Sequence, residues 1–268
     1  MKSIDFLDNL LGLLTVELIM TPKDEFVTCH DNELITQLVN RLKKYDFLPV
    51  SAKEIKYFVL KTKVEDLLTK NLTATVEEIK QPISEKELIL DNTPINNYFL
   101  KCKNPLFVNK ENEVIGIVTL ADLNKTPSKM LFYILISGLE QLLTKSIKSL
   151  NLSENKIEGI IGFNRLWNAK GRNEWNTRRN LELSLIECLN TCDLLKIACK
   201  RPRIRKMLNY PDEKVAKKYL NPLDNLRNKV MHTGHSIIQN EDQLLKRRME
   251  YRLIRKHIND LKCVGEIC

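Results

Sequence analysis

A pattern that occurs twice in the first half of the chain constrains its fold more than any other sequence feature. Each copy has a short leading segment followed by a helix, two strands and a second helix. In the first copy, a run of apolar residues with helical spacing precedes strands predicted at 47–50 and 55–60. The same order returns after Asn71, with strands predicted at 105–108 and 114–120. This repeated β-α-β-β-α order predicts an α+β fold for the first half.

Short motifs in the two copies resemble those of a known family. They are Ile19-Met-Thr-Pro22, Leu48-Pro-Val50, Pro105-Leu-Phe-Val108 and Ile115-Gly-Ile-Val-Thr-Leu-Ala-Asp-Leu123. Together they resemble a tandem CBS-domain pair, a family in which two copies make one folded unit. The first copy matches less closely, because it lacks the glycine that Gly116 supplies in the second. The resemblance implies that residues 1–127 form a CBS nucleotide-sensing module.

The resemblance also implies a cleft that holds an adenine nucleotide such as AMP, ATP or S-adenosylmethionine. Thr119 ends a predicted strand and Asp122 begins a helix, a spacing that lets a carboxylate accept ribose hydroxyls near a helix N-terminus. Thr21 and Pro22 are the other candidate residues for this ligand. Both Thr and Asp are also common helix caps. A structural pair that only dimerises is therefore the alternative.

The positive charge of the chain lies in its second half. Residues 1–127 hold 16 Lys and Arg against 19 Asp and Glu, a net charge of −3. Residues 128–268 hold 27 Lys and Arg against 15 Asp and Glu, a net charge of +12. A domain this basic is a candidate for binding a polyanion such as RNA, although a solvated basic surface gives the same count. The dense basic run Lys200–Lys206 has the same two interpretations.

Helical patterns replace the strand signals after Pro127. A long, mostly buried helix is predicted from Met130 toward Leu150, and its Glu140 is expected to pair with an arginine. A loop is predicted at 167–175, where the sequence is polar and contains glycine. The further predicted helices are 156–168, 181–197, a helix that starts at Asn221-Pro222 and ends near Gly234, and 241–261.

The segment Arg227-Asn228-Lys-Val-Met-His232 lies near the end of a late predicted helix. An all-helical basic domain with this motif, and with a long opening helix that carries Glu140, resembles the HEPN superfamily. In that family the motif marks metal-independent ribonucleases. The resemblance implies an all-α HEPN-like helical bundle over residues 128–268, with Arg227, Asn228, His232 and Glu140 as catalytic residues.

The residue types fit RNA cleavage. RNA carries its own nucleophile, the 2′-hydroxyl, which a histidine can deprotonate at neutral pH. A guanidinium can hold two phosphate oxygens as negative charge develops. The expected products are a 2′,3′-cyclic phosphate and a 5′-hydroxyl, with no metal ion. On a helix Arg227 and His232 would lie about 140° apart, so either the long Arg227 side chain reaches around the helix or a second chain completes the site. HEPN domains place two copies of the motif at a dimer interface and CBS pairs also tend to dimerise, so both resemblances imply a homodimer. His232 could also be an ordinary histidine at a helix end, and His235 an accessory residue.

The remaining composition indicates a folded protein of a reducing compartment. Hydrophobic residues make up 43% of the chain and charged residues 29%, as in folded proteins. No secretory signal or membrane-spanning run is recognised, and seven cysteines fit a cytoplasmic location. Cys188, Cys192 and Cys199 are predicted to be core residues on one helical face, without a fourth ligand for a metal.

These patterns lead to one main functional hypothesis and one alternative. The first is a HEPN-type endoribonuclease regulated by an adenine nucleotide in the CBS pair, in the manner of stress or antiviral effectors. The alternative is a non-catalytic helical domain that binds RNA or protein and is dimerised by a structural CBS pair. No membrane partner is expected in either case.

Overall fold

The computed structural model describes residues 2–70, 72–101, 106–232 and 234–265, with only the backbone at 2–5 and 264–265. It divides into two compact units, residues 8–128 and residues 1–7 with 129–268. Pro105, predicted to open a strand, and Asn71, after which the second copy was predicted to begin, lie outside the described residues. The α+β class and the helical second half are confirmed.

Residues 8–128 contain short helices and strands in the order predicted by the repeat. The chain begins with α1 (Lys2–Gly12). The following elements are β1 (Thr21–Pro22), α2 (Ile35–Leu42), β2 (Phe47–Pro49), β3 (Tyr57–Leu60), α3 (Lys61–Leu68), α4 (Val76–Ile79), β4 (Gln81–Pro82), β5 (Leu88–Leu90), α5 (Ile95–Lys101), β6 (Leu106–Lys110) and β7 (Glu113–Val118).

These strands form two sheets, and each sheet takes one strand from the leading segment of the other copy. The sheet orders are β1-β7-β6-β5 and β2-β3-β4. Thr21 of β1 pairs antiparallel with Ile117 of β7, and Gln81 of β4 pairs with Phe58 of β3. Because each copy supplies a strand to the other sheet, neither copy forms its complete sheet alone.

Backbone hydrogen bonds outside the sheets relate the two copies by a constant offset. Val16 N donates to Thr93 O at 2.8 Å, and Val76 N donates to Glu33 O at 2.9 Å. Adding 60 to Val16 gives Val76, and subtracting 60 from Thr93 gives Glu33. The two copies therefore exchange equivalent bonds, as in a symmetric pair.

An aromatic cluster joins the two sheets. Phe47 and Phe58 come from β2 and β3, and Phe107 comes from β6 of the other sheet. The Phe107 ring centroid lies 5.9 Å from that of Phe47 and 5.4 Å from that of Phe58. Burial of each such ring stabilises the fold by about 1.5–3 kcal/mol. This cluster gives the two sheets a common core.

The second unit is helical in its described residues. Each of its helices buries apolar residues, as in a small bundle. Its elements are α6 (Thr126–Lys148), α7 (Glu154–Ile161), α8 (Phe163–Thr177), α9 (Thr191–Lys200), α10 (Pro202–Met207), α11 (Glu213–Met231) and α12 (Glu241–Gly265).

Helix α6 is apolar enough and long enough to cross a membrane, judged by length and composition alone. No membrane-spanning run was predicted from the sequence. In the structure 39% of the 18-residue stretch of α6 that meets this criterion is buried. Leu131, Leu135, Leu139 and Leu143 are among its buried residues and follow one face at helical spacing.

The structure corrects the prediction for residues 156–197. The predicted loop at 167–175 is part of helix α8, which follows α7 after a break at Gly162 (φ 91°). The helix predicted at 181–197 begins only at Thr191. Leu181 and Leu183, which suggested a helical face, are exposed. Both predictions relied on composition, which was no guide here: polar residues occur in helix α8, and leucines occur in the connection between α8 and α9.

Helix α11 also begins earlier than predicted. Its first residue is Glu213, and Asp212 caps it by accepting a hydrogen bond from Val215 N at 2.8 Å. Pro222, predicted in the first turn, lies inside the helix, where a proline cannot donate to the preceding turn. The surrounding helix-forming residues and the buried apolar face outweigh that loss.

Candidate nucleotide and RNA sites

Thr119 and Asp122 are brought together as their spacing predicted. Asp122 is only 4% exposed, and its Oδ2 accepts hydrogen bonds from Thr119 N at 2.7 Å and Thr119 Oγ1 at 2.9 Å. Its Oδ1 lies 2.8 Å from Lys125 Nζ. Both carboxylate oxygens are therefore engaged, and a ribose would have to displace one of these contacts.

Lys125 links this carboxylate to the segment that carries the other two candidates. Its Nζ donates to Ile19 O at 2.7 Å, just before Thr21 and Pro22 in β1. Pro22 pairs with Gly116 in β7. The four predicted ligand residues thus lie along one end of the same sheet.

Gly116 permits the close approach of β1 to β7. A Cβ atom added there would lie 2.5 Å from Met20 Sδ and 3.0 Å from Thr21 O. The second contact is with backbone and cannot be relieved by a rotamer change. The glycine noted in the sequence therefore has a packing role next to the candidate site.

The first copy lacks an equivalent carboxylate. Thr21 and Gln81 are related by the offset of 60 and pair with Ile117 and Phe58, so Phe58 is equivalent to Ile117. Leu60 then corresponds to Thr119, and Lys63 corresponds to Asp122. The carboxylate expected for a ribose is thus present in one copy.

In the helical unit, Arg227 and Glu140 line the same two cavities. The larger has a volume of about 640 Å³, and its lining includes Lys145, Lys148 and Thr191. The smaller has a volume of about 100 Å³. The Glu140 carboxylate accepts a hydrogen bond from Thr191 Oγ1, whereas an arginine was the expected partner. Arg227 Nη1 donates to Asn228 Oδ1 at 3.4 Å.

His232 opens onto a different cavity of about 420 Å³, which Asn228 also lines. It is the C-cap of α11 with φ −99° and ψ 116°, so it has left the helix. Its imidazole centroid lies 5.5 Å from that of His235, with the ring planes at 71°. The structure thus brings Asn228 and His232 together and places Arg227 with Glu140 elsewhere in the unit.

Charged residues of α12 complete the His232 cavity. Lys246, Arg247 and Glu250 line it, as does Lys229 of α11. Arg247 forms a buried ion pair with Glu250 and donates from Nε to Ile237 O at 3.0 Å. Burial raises the pKa of Glu250 from its ordinary value, and Arg247 opposes the rise. This pair was not predicted from the sequence, because the basic amphipathic pattern of α12 does not show which of its charged residues are buried.

Among the described residues, no group of three or more His, Cys, Asp or Glu could hold a metal ion. The three cysteines do not share one helix: Cys188 lies in a 3-10 turn, and Cys192 and Cys199 lie in α9. Cys188 and Cys199 are buried, and Cys192 is half-buried. Burial raises the pKa of Cys199 to about 11, which keeps this thiol protonated at neutral pH.

No protein-family model matches this chain, and no curated protein sequence matches it. Several solved structures are similar to its N-terminal part, and they are CBS domains. The CBS domain of a bacterial CNNM/CorC family Mg²⁺ transporter, solved with ATP, is 22% identical and covers 46% of this chain and 92% of its own, with a TM-score of 0.35.

Two further CBS pairs show similar values. The CBS-pair protein CBSX2 from Arabidopsis thaliana is 20% identical and covers 41% of this chain and 90% of its own, with a TM-score of 0.35. The CBS domain pair of protein MJ0100, solved with 5′-methylthioadenosine and S-adenosyl-L-methionine, is 21% identical and covers 41% and 95%, with a TM-score of 0.34.

Proposed function

We propose that the chain is a HEPN-type, metal-independent endoribonuclease regulated by an adenine nucleotide bound to its CBS pair. The cavity that contains His232 carries this proposal. Two imidazoles, two lysines and Asn228 converge there without a cluster of metal ligands among the described residues. These groups supply acid–base chemistry and positive charge, which are the requirements for transesterification of RNA.

In the proposed reaction, His232 accepts the proton of a ribose 2′-hydroxyl. The 2′-oxygen then forms a bond to phosphorus, and the bond from phosphorus to the 5′-oxygen breaks. Protonated His235, which lines the same cavity, donates a proton to the leaving 5′-oxygen. Lys229 and Lys246 stabilise the charge on the phosphoryl oxygens. The products are a 2′,3′-cyclic phosphate and a 5′-hydroxyl.

A second copy of the chain completes this site. Arg227 lines other cavities, with Glu140, and so does not share the His232 cavity of its own chain. Arg227 of a second copy would bring its guanidinium to the phosphate. Glu140 would then orient this arginine from the side of α6. A homodimer is thus part of the proposed mechanism.

The proposed regulatory site consists of Thr119, Asp122, Thr21 and Pro22. ATP and S-adenosyl-L-methionine are present in solved CBS structures similar to this chain, and AMP is bound in another. In our proposal Lys125 moves from Asp122 to the nucleotide phosphate, so that Asp122 Oδ1 can accept a ribose hydroxyl. Such a ligand changes activity only if it binds one dimer arrangement better than another.

One observation favours the alternative, a non-catalytic RNA- or protein-binding domain joined to a structural CBS pair. Asp122 already has partners on both oxygens, and the first copy has Lys63 at the equivalent position. A carboxylate satisfied in this way can serve as a helix cap without any ligand.

Cleavage of a 5′-labelled single-stranded RNA in the presence of EDTA tests the nuclease proposal. We expect wild-type protein to produce 2′,3′-cyclic phosphate ends and the His232→Ala variant to lose this activity. His30→Ala, which changes an exposed histidine of the other unit, is the matched control and should remain active. Equal cleavage by wild type and His232→Ala would contradict the proposal.

A further inference from the structure

Helix α8 exposes a stripe of aromatic rings. Phe163, Trp167, Gly171 and Trp175 follow one another at intervals of four residues, which places them along one side of the helix. The three aromatic residues are 61%, 66% and 53% exposed. The stripe, defined as these four positions, is about 18 Å long at a rise of about 1.5 Å per residue.

The opposite face of α8 fixes the helix, so the stripe points outward from a stable support. Leu166 and Ala169 are buried there. Arg165 pairs with the buried Asp193 at 2.7 Å, and Arg172 donates to Cys188 O at 2.9 and 2.7 Å from Nε and Nη2. Exposed aromatic rings on so well-anchored a helix are unusual on a protein surface unless they bind something.

Positive charge lies at the C-terminal end of the stripe. Of the five Lys and Arg of residues 163–180, Arg165 and Arg172 are bound on the opposite face and Lys170 pairs with Glu154, so Arg178 and Arg179 remain beside Trp175. Arg179 lies over the Trp175 ring at 3.7 Å, which extends the row of flat surfaces by one guanidinium. The rings of Phe163 and Trp167 are nearly parallel, with centroids 6.1 Å apart and planes at 26°.

We infer that this stripe is a stacking platform for the bases of single-stranded RNA. Aromatic rings accept any base face, and neighbouring arginines neutralise the phosphates between them. Gly171 leaves a gap between Trp167 and Trp175 where, among the described residues, an added Cβ atom would meet nothing within 4 Å. A base or sugar fits that gap. The identification of RNA as the nucleic acid rests on the proposed function.

A second copy of the chain is the less suitable occupant. In a twofold interface the same patch faces itself. Two patches with this excess of positive charge would then meet and repel each other. A negatively charged strand complements the same surface.

Tryptophan fluorescence gives a direct test, because Trp167 and Trp175 are the only two tryptophans of the chain. The protein would carry His232→Ala, so that RNA is not cut during the titration. We expect a 12-residue oligouridylate to quench the fluorescence of both single-tryptophan variants, Trp167→Phe and Trp175→Phe. Binding of the oligonucleotide without quenching in either variant would overturn the stripe as the binding surface.

The affinity for the same oligonucleotide, now carrying a fluorescent label and measured by anisotropy, gives the contribution of each ring to binding. Loss of one stacked base should raise Kd between about 5-fold and about 150-fold. We expect this for Trp167→Ala and Trp175→Ala, with Trp167→Tyr retaining most of the affinity. Met249→Ala removes an equally exposed apolar side chain from α12 and should leave Kd unchanged.

The outcomes separate this inference from the nuclease proposal. If the stripe variants bind RNA normally, yet RNA is cleaved by protein with an intact His232, the inference about the stripe is wrong and the nuclease proposal is supported. If the stripe variants bind RNA weakly and neither wild type nor any variant cleaves it, the inference about the stripe is supported and the nuclease proposal is wrong. If Trp167→Ala converts a dimer to a monomer in light scattering and leaves Kd unchanged, the stripe is a contact between copies and the inference is wrong.

Discussion

Arg227 and His232 are five residues apart in the chain and line different cavities. Arg227 shares its cavities with Glu140, and His232 shares its own with Asn228 and His235. The separation arises because His232 is the first residue beyond the end of α11. A motif that is contiguous in sequence is therefore divided between two surfaces of one unit.

This division predicts complementation between inactive chains. Arg227→Ala and His232→Ala should each abolish cleavage alone. Mixed in equal amounts and allowed to exchange subunits, they should recover roughly a quarter of wild-type activity, because half the dimers are mixed and each has one intact site. Activity is measured from the rate of appearance of cyclic-phosphate ends. No recovery, despite exchange shown by mass, would place Arg227 and His232 in the same chain's site.

The candidate nucleotide site predicts one ligand per chain. Asp122→Ala should abolish the thermal shift caused by AMP or ATP, because the ribose loses its acceptor. Lys125→Ala should weaken the binding of ATP more than the binding of adenosine, because Lys125 is proposed to bind a phosphate. Glu65→Ala, in the first copy, is the control and should bind as wild type does. Calorimetry that gives two sites per chain would contradict this prediction, because the first copy has Leu60 and Lys63 at the equivalent positions.

The packing of β1 against β7 predicts an effect of substitution at Gly116. Gly116→Ala should lower the free energy of unfolding by about 1–3 kcal/mol, because the new methyl group meets backbone as well as Met20. Gly159→Ala, in helix α7, adds a methyl group with nothing within 4 Å among the described residues and should stabilise its unit slightly. Urea unfolding of both variants measures the two effects. Equal stability of Gly116→Ala and wild type would show that β1 can move away.

Buried His257 predicts a loss of stability in acid. Its side chain is fully buried and bonded to Tyr210 Oη at 2.8 Å, and burial lowers its pKa from 6.5 to about 4. The unfolded chain binds a proton near pH 6.5 and the folded chain only near pH 4. The contribution of the neutral imidazole to the free energy of unfolding is thus complete above pH 6.5. About 3 kcal/mol of it is lost as the pH falls toward 4.

Urea unfolding between pH 7 and pH 4 measures this dependence. His257→Gln has no imidazole to protonate, so the difference in stability between it and wild type should shrink as the pH falls. The same replacement at the exposed His30 is the matched control. A constant difference across the range would mean that the pKa of His257 is the same in the folded and the unfolded chain, which would contradict the prediction.

The sequence predicted elements that follow from periodic patterns. The repeat, the long helix α6 and the final helix α12 were found where the apolar spacing indicated. Thr119 and Asp122 were brought together because they are three positions apart within one turn. Local spacing is enough in such cases, since the interacting groups are neighbours in the chain.

Other features depended on contacts that no local pattern reveals. Helix α8 looked like a loop because its sequence is rich in polar residues and contains Gly171, yet its inner face is anchored by Asp193 and Cys188. The aromatic stripe could be recognised only once that segment was helical. Likewise, Arg247 and Glu250 could be recognised as cavity residues only once α11 and α12 lined one cavity.

The exchange of leading strands between the two copies has a consequence for the origin of the fold. Thr21 and Gln81 each complete the sheet of the opposite copy, so a polypeptide with a single copy would have an unfilled edge and a strand without a sheet. Two such half-length polypeptides could satisfy each other by reciprocal pairing. An ancestral gene encoding one copy could thus have made this architecture as a dimer before duplication and fusion joined the halves. Divergence then left a carboxylate at position 122 and a lysine at the equivalent position 63.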